Sequence, residues 1–124
     1  MYKIDKSIDF TPLFDNELVQ VRVSLFSVTL VLANESNISS DITIQCKYNI
    51  WQNGSMILSG HGVEEVDKSK MLVCLLGKLI ESVSVIGSDT LRLNFSDNYS
   101  LDLIDDSAMY ESFVISGEIF GLIV

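Results

Sequence analysis

Apolar and polar positions alternate in short runs along this chain, and the runs come in two similar series. The first reads LVQVRVS from Leu18, then SVTLVLA, then DITIQCKY; the second reads LIESVSV from Leu79, then TLRLNFS, then YSLDLID. A period of two sends successive side chains to opposite faces, so each run predicts a strand with one buried and one wet face. The pattern assigns Val19, Val21, Val23 and Leu25 to the interior in the first strand and Val28, Leu30 and Leu32 in the second. Ile42, Ile44, Cys46 and Tyr48 form the inward set of a third. In the second series the inward set is Val83 and Val85, then Leu91, Leu93 and Phe95, then Leu101 and Leu103, with Phe113 and Ile115 in a closing segment.

Between YNIWQ and SMILS stands Asn53-Gly54. This pair supplies two consecutive positive-φ positions and predicts a tight hairpin with Trp51 and Ile57 on facing strands. The segment EEVDKSKMLVCLLGK breaks the alternation. It predicts a short helix at 64–77, with Asp67 or Ser69 as cap, Gly77 at its end, and Met71, Leu72, Leu75 and Leu76 as its apolar stripe; a buried strand from Met71 to Leu76 is the alternative. Residues 1–17 hold the only proline, Pro12, and read as an arm pinned by Phe10, Leu13 and Phe14. The fold class is therefore mainly β (α+β): two antiparallel β-meanders, 17–60 and 78–124, forming a sandwich or partly open barrel with one short helix between the halves. Neither half can bury its apolar face alone, so the two make one domain spanning 1–124. Duplication and independent strand patterning both account for the similarity of the halves.

A length of 124 residues suits one core that buries roughly two thirds of the unfolded surface. Seventeen Asp and Glu against eight Lys and Arg give a formal charge of -9, which repels phosphate backbones and excludes direct nucleic-acid binding. The same charge keeps a chain soluble and steers it toward basic partners. Arg22 and Lys78 interrupt the most apolar stretches, which argues against a membrane span. The start, MYKIDKSIDF, carries acids where a secretion signal needs an apolar run. Cys46 and Cys74 then read as reduced thiols of a cytoplasmic protein.

The chemistry on offer is sparse. His61, the single histidine, lies between Gly60 and Gly62, with no second ligand or nucleophile at a recognisable spacing. GHG and LLGKL lack the lysine and hydroxyl pattern of a phosphate loop. Asp97, Asp102, Asp105 and Asp106 gather around one predicted hairpin, and Glu64, Glu65 and Asp67 form a second acidic group. Such acids hold a cation, perform acid–base work, face solvent, or meet a basic protein. Without a DxDxDG-type loop, no metal, cofactor or catalytic set is assigned. Trp51, Tyr99 and Tyr110 are the aromatics best placed for contact.

The order LRLNFSDNYSLDL followed by YESFVIS resembles small bacterial β-rich proteins of uncharacterised function. These place L-x-F-x-(D/N)-x-x-x-L-x-(L/I) ahead of (Y/W)-E-(S/A)-(F/W). Leu93, Phe95, Asp97, Leu101, Leu103, Tyr110, Glu111, Ser112 and Phe113 stand at those positions, and the likeness covers residues 78–116. The overall profile is similar to toxin-neutralising immunity proteins of bacterial competition systems. That resemblance implies a non-enzymatic chain that occludes a basic toxin domain, such as a nuclease, in about a one-to-one ratio, with complementary charge speeding encounter. The implied contact residues are Asp97, Asp102, Asp105, Asp106 and Glu111, with Tyr99 and Trp51 as aromatic anchors. An accessory protein with another partner is the first alternative, and a small hydrolase or metal enzyme using His61 and nearby carboxylates is the second.

Overall fold

The structure is a computed structural model that describes residues 4, 7–63, 66–105, 113–117 and 121–123. The strands are β1 (Glu17–Val23), β2 (Val28–Ala33), β3 (Ser39–Ile44), β4 (Lys47–Gln52), β5 (Ser55–His61), β6 (Ile80–Ile86), β7 (Thr90–Phe95), β8 (Tyr99–Ile104), β9 (Phe113–Gly117) and β10 (Gly121–Ile123). One helical turn, α1 (Val66–Ser69), continues as a 3-10 helix over Lys70–Leu75 and separates β5 from β6. Two antiparallel sheets result, in the orders β1-β2-β3-β9-β10 and β5-β4-β8-β7-β6. Both keep open edges, so no closed barrel forms. One core lies between them, with Leu18, Leu30, Leu32, Ile42 and Ile44 from the first sheet meeting Tyr48, Ile50, Leu93, Phe95 and Leu101 from the second.

The inward sets of β2, β7 and β8 stand as the alternation predicts, and Phe113 and Ile115 are buried in β9. β1 differs. Its pairing with β2 slips between Leu18 and Gln20, so Leu18 takes the core position while Val19 is 48% exposed. A bulge inserts one residue and so exchanges the two faces for the rest of the strand. Val21 is half-buried, and Val23 and Leu25, running out to the tip of an edge hairpin, are exposed. The third predicted run is also divided: the chain leaves the first sheet after Ile44 and joins the second at Lys47, with Cys46 buried at the crossing. The Asn53-Gly54 hairpin forms with φ of 52° and 80°, although a second bulge pairs Trp51 with Met56 rather than Ile57. In the helical segment the geometry is 3-10, whose three-residue repeat buries Ser69, Leu72 and Leu75. Met71 and Leu76, assigned to the apolar stripe by α-helical spacing, are 58% and 42% exposed.

The halves are related more closely than the sequence patterns suggest. Each unit contributes a three-stranded meander to one sheet and then sends a hairpin to the other: β1-β2-β3 is completed by β9-β10, and β6-β7-β8 by β4-β5. Backbone hydrogen bonds repeat between the units with a shift of 62 positions (Leu18 to Ile80, Asp15 to Gly77). Leu18 N–H donates to Lys78 O at 3.0 Å and Ile80 N–H to Asn16 O at 2.9 Å; Asp15 N–H donates to Ile80 O at 2.7 Å and Gly77 N–H to Leu18 O at 2.8 Å. The turns before β1 and β6 match as well, through Phe14 N–H to Thr11 O and Leu76 N–H to Val73 O. Both meanders begin with a bulge, at Leu18/Gln20 and Ile80/Ser82, and the bridge joining Glu17 to Leu79 lies where the units meet. The molecule is thus two interlocked copies of one β-unit.

α1 is anchored by a buried polar contact. Tyr48 Oη and Ser69 Oγ lie 3.0 Å apart, and both residues are fully buried. Tyr48→Phe leaves the Ser69 hydroxyl in the core without its phenol partner, so it is expected to cost about 1–2 kcal/mol. A urea titration with an unchanged slope checks this; a loss below a few tenths would mean the hydroxyl is satisfied elsewhere.

Candidate protein-interaction surface

On the outer face of the second sheet, β4, β8 and β7 bring Trp51, Asp102 and Arg92 together. Register sets Asp102 opposite Arg92 on one side and Asn49 on the other. Arg92 grips the carboxylate with two bonds, Nε to Oδ1 at 2.7 Å and Nη2 to Oδ2 at 2.9 Å. Trp51 Nε1 donates to Oδ2 at 3.0 Å, and the guanidinium carbon lies 6.0 Å from the indole centroid. The bond to Asp102 raises the Arg92 pKa above its ordinary value, against the opposing effect of burial. Asp102 is 4% exposed. The expectation of an open acid at this position is therefore corrected: the side chain points outward, but Trp51 and Arg92 close over it. Alongside, Ser100 Oγ donates to Asn94 Oδ1 and Asn94 Nδ2 to Ser82 Oγ, continuing the polar lattice across the strands. In the first sheet the corresponding cross-strand pair is Thr29 with Thr43, joined at 3.2 Å.

Asp97 and Tyr99 meet through Lys78. The ammonium lies 2.7 Å from Asp97 Oδ2 and 5.5 Å from the Tyr99 ring centroid. The hydrogen bond to Asp97 is the main reason the Lys78 pKa sits above its usual value. Asp97 keeps 69% of its side chain exposed, in a left-handed turn with φ 62°. A bond from Asn53 N–H to Asn98 O at 3.0 Å ties this turn to the β4–β5 hairpin. Between them opens a polar groove of about 490 Å³ lined by Asn53, Asn94, Asn98, Tyr99 and Ser100 among others. Asp105 stands at the opposite end of β8, where its N–H donates to Asp89 O at 2.7 Å. Asp106, Tyr110 and Glu111, like Glu64 and Glu65, fall outside the described residues.

His61 is 7% exposed, and its Nδ1 accepts a hydrogen bond from Val63 N–H at 3.1 Å. Its flanking glycines admit other parts of the chain. A Cβ on Gly60 would stand 2.6 Å from Tyr48 Oη, and one on Gly62 would strike the Ile44 carbonyl. No group of three or more His, Cys, Asp or Glu suited to a metal occurs among the described residues. Cys46 and Cys74 form no disulfide among the described residues, and burial pushes the Cys74 thiol up. No described helix is long and apolar enough to cross a membrane.

Sequence reading did not single out the acids Asp15, Glu17 and Glu35. Two adjoining clefts, of about 330 and 250 Å³, share Asp15, Asn34 and Glu35. The larger is lined in addition by Asn16 and Phe14, the smaller by Glu17, Ala33 and Leu79. Asn34 Oδ1 accepts from Ser36 N–H and Ile38 N–H, which fixes the loop carrying Glu35. Comparison of the chain with protein-family models, curated proteins and solved structures finds no match.

Proposed function

We propose that this chain is a stoichiometric inhibitor of the immunity type, which captures a basic toxin domain, such as a nuclease, and occludes it in the cytoplasm of the producing bacterium. The division of charge carries the reading. Lys70, Lys78 and Arg92 are matched to Asp67, Asp97 and Asp102 of the same chain. Asp15, Glu17 and Glu35 face solvent without an ion pair among the described residues. With a formal charge of -9, the surface left over attracts a cationic partner from a distance and repels an anionic one. Trp51 lies half-buried, and Met56 on the paired strand and the adjoining Ile57 are 49% and 48% exposed, apolar anchors of the kind that slow dissociation.

The test is a calorimetric titration with the protein encoded immediately upstream of this chain's gene. Saturation near one equivalent, with affinity falling as salt is raised across the physiological range, is the expected result. Failure to bind a basic partner, or turnover of a small substrate by the purified chain that requires His61, removes the reading.

A further inference from the structure

We infer that the groove between the β4–β5 hairpin and the Ser96–Asn98 turn binds a neutral polyhydroxyl ligand, of the size of one or two sugar rings. This goes beyond the proposed function and stands without it. The groove measures about 490 Å³, within the range of small-ligand sites. Asn53, Glu81, Asn94, Asn98, Tyr99 and Ser100 line it. The three carboxamides, the serine hydroxyl and the phenol each donate and accept hydrogen bonds, and Glu81 adds the one carboxylate of the lining, an acceptor. A sugar hydroxyl also does both, so a pair of adjacent hydroxyls matches the N–H and C=O of one carboxamide. Other ligand classes meet an obstacle. No Lys or Arg lines the groove, and a chain of formal charge -9 repels an anion. A single carboxylate is too little for a hard cation. An apolar ligand would strip water from the amides and return no hydrogen bond. Asn94, Tyr99 and Ser100 lie on β7 and β8, strands already paired on both sides, so an extended peptide finds no free backbone edge there.

These groups are set in place by the fold itself. Asn94 Nδ2 donates to Ser82 Oγ and Asn94 Oδ1 accepts from Ser100 Oγ, which fixes the carboxamide and leaves it one further donor and one further acceptor position. The bond from Asn53 N–H to Asn98 O ties the two walls together. The side-chain amides of Asn53 and Asn98 and the Glu81 carboxylate are exposed and have no partner among the described residues. Asn98 holds its amide there at φ 62°, directly after Asp97 at the same φ, a left-handed position that glycine would fill with less strain. The first unit serves as a control, because its framework forms without these groups. Register sets Val31 between Gln20 and Asp41 as it sets Asn94 between Ser82 and Ser100. At the bulge that opens each meander, Val19 stands where Glu81 does. The same β-unit therefore folds with valine at both positions, and folding does not call for the asparagine and glutamate of the second unit.

The probes are methyl glucopyranoside, N-acetylglucosamine and maltose, titrated at millimolar concentrations into the isotopically labelled chain and followed through backbone amide shifts. Cyclohexanol, a ring with one hydroxyl, and N-acetylglycinamide, a peptide-like amide, are the controls. At least one sugar is expected to give saturable shifts confined to residues 53–54, 81, 94–95 and 98–100. Asn98→Gly removes an amide and suits the left-handed backbone, so it should weaken that binding roughly five- to tenfold with the melting midpoint unchanged or raised. Asn94→Val, which copies the first unit, should weaken it by a similar factor. The inference is overturned if none of the three sugars saturates, or if cyclohexanol shifts the same residues equally. Tighter binding of N-acetylglycinamide than of any sugar, or undiminished affinity in Asn98→Gly, overturns it too.

Discussion

Gly62→Ala is expected to destabilise the protein by roughly 2–4 kcal/mol, enough to remove a large part of a domain's net stability. The reason lies in the crossing from the first sheet to the second. Gly62 N–H donates to Cys46 O at 2.9 Å, which holds the end of β5 against residues 44–46 as they pass between the layers. An added Cβ would meet the Ile44 carbonyl oxygen, with the Ile44 carbonyl carbon at 2.8 Å and Gln45 Cα at 3.0 Å. These are backbone atoms, and they cannot swing aside as a side chain would. Ile44 is itself locked by pairing with Val28 on one side and Phe113 on the other. Relief would have to come from moving a central strand or breaking the Gly62–Cys46 bond. Gly60→Ala meets the Tyr48 side chain instead, which is fully buried and in contact with Ser69, and should cost somewhat less. Urea midpoints with unchanged slopes measure both. A loss under about 0.5 kcal/mol for Gly62→Ala would show that the crossing tolerates displacement and that close approach is not why glycine stands there.

The glycines around His61 mark the limit of what the sequence discloses. Read along the chain, they leave an imidazole room; in the fold, the room is taken by Tyr48 and the crossing backbone. Features fixed by a few neighbouring residues were legible. Asn53-Gly54 needs two left-handed positions in succession and has them, and the alternation in β2, β7 and β8 names their buried faces. Which strand lies beside which was not legible, because some 70 residues of chain separate β3 from its partner β9, and any period-two strand offers the same edge. The burial of Asp102 was hidden for a related reason. Asp102 was assigned to the correct face, but exposure depends on Trp51 and Arg92, which arrive from two other strands. The cleft is more dispersed still, drawing Asp15, Glu35 and Leu79 from separate parts of the chain. The repeat too is legible only when aligned at Leu18 and Ile80 rather than at Leu18 and Leu79. In that register Lys78 falls on Asn16.

Arg92→Ala is expected to cost about 3 kcal/mol, and more than Asp102→Ala. The asymmetry follows from exposure. The Asp102 side chain is 6% exposed, so removing the guanidinium strands a carboxylate in the sheet with only the Trp51 N–H for company. The Arg92 side chain is 35% exposed and can turn its charge to water when the carboxylate is removed. Trp51 is the sole tryptophan, so its emission follows unfolding and reports directly on the loss of the cation beside its ring. Equal costs for the two substitutions, or a larger one for Asp102→Ala, would mean that the pair is effectively solvated and that Asp102 is available to a partner after all. The first sheet offers the control, since at the equivalent cross-strand position it carries Thr29 and Thr43. The double variant Arg92→Thr/Asp102→Thr removes both charges and restores a hydroxyl pair, so it should be more stable than Arg92→Ala alone. If it is, the ion pair is one way of closing this position and the hydroxyl pair another. The second unit would then have taken up matched charges at Arg92–Asp102 and Lys78–Asp97, where the first carries the uncharged pairs Thr29–Thr43 and Asn16–Asn34.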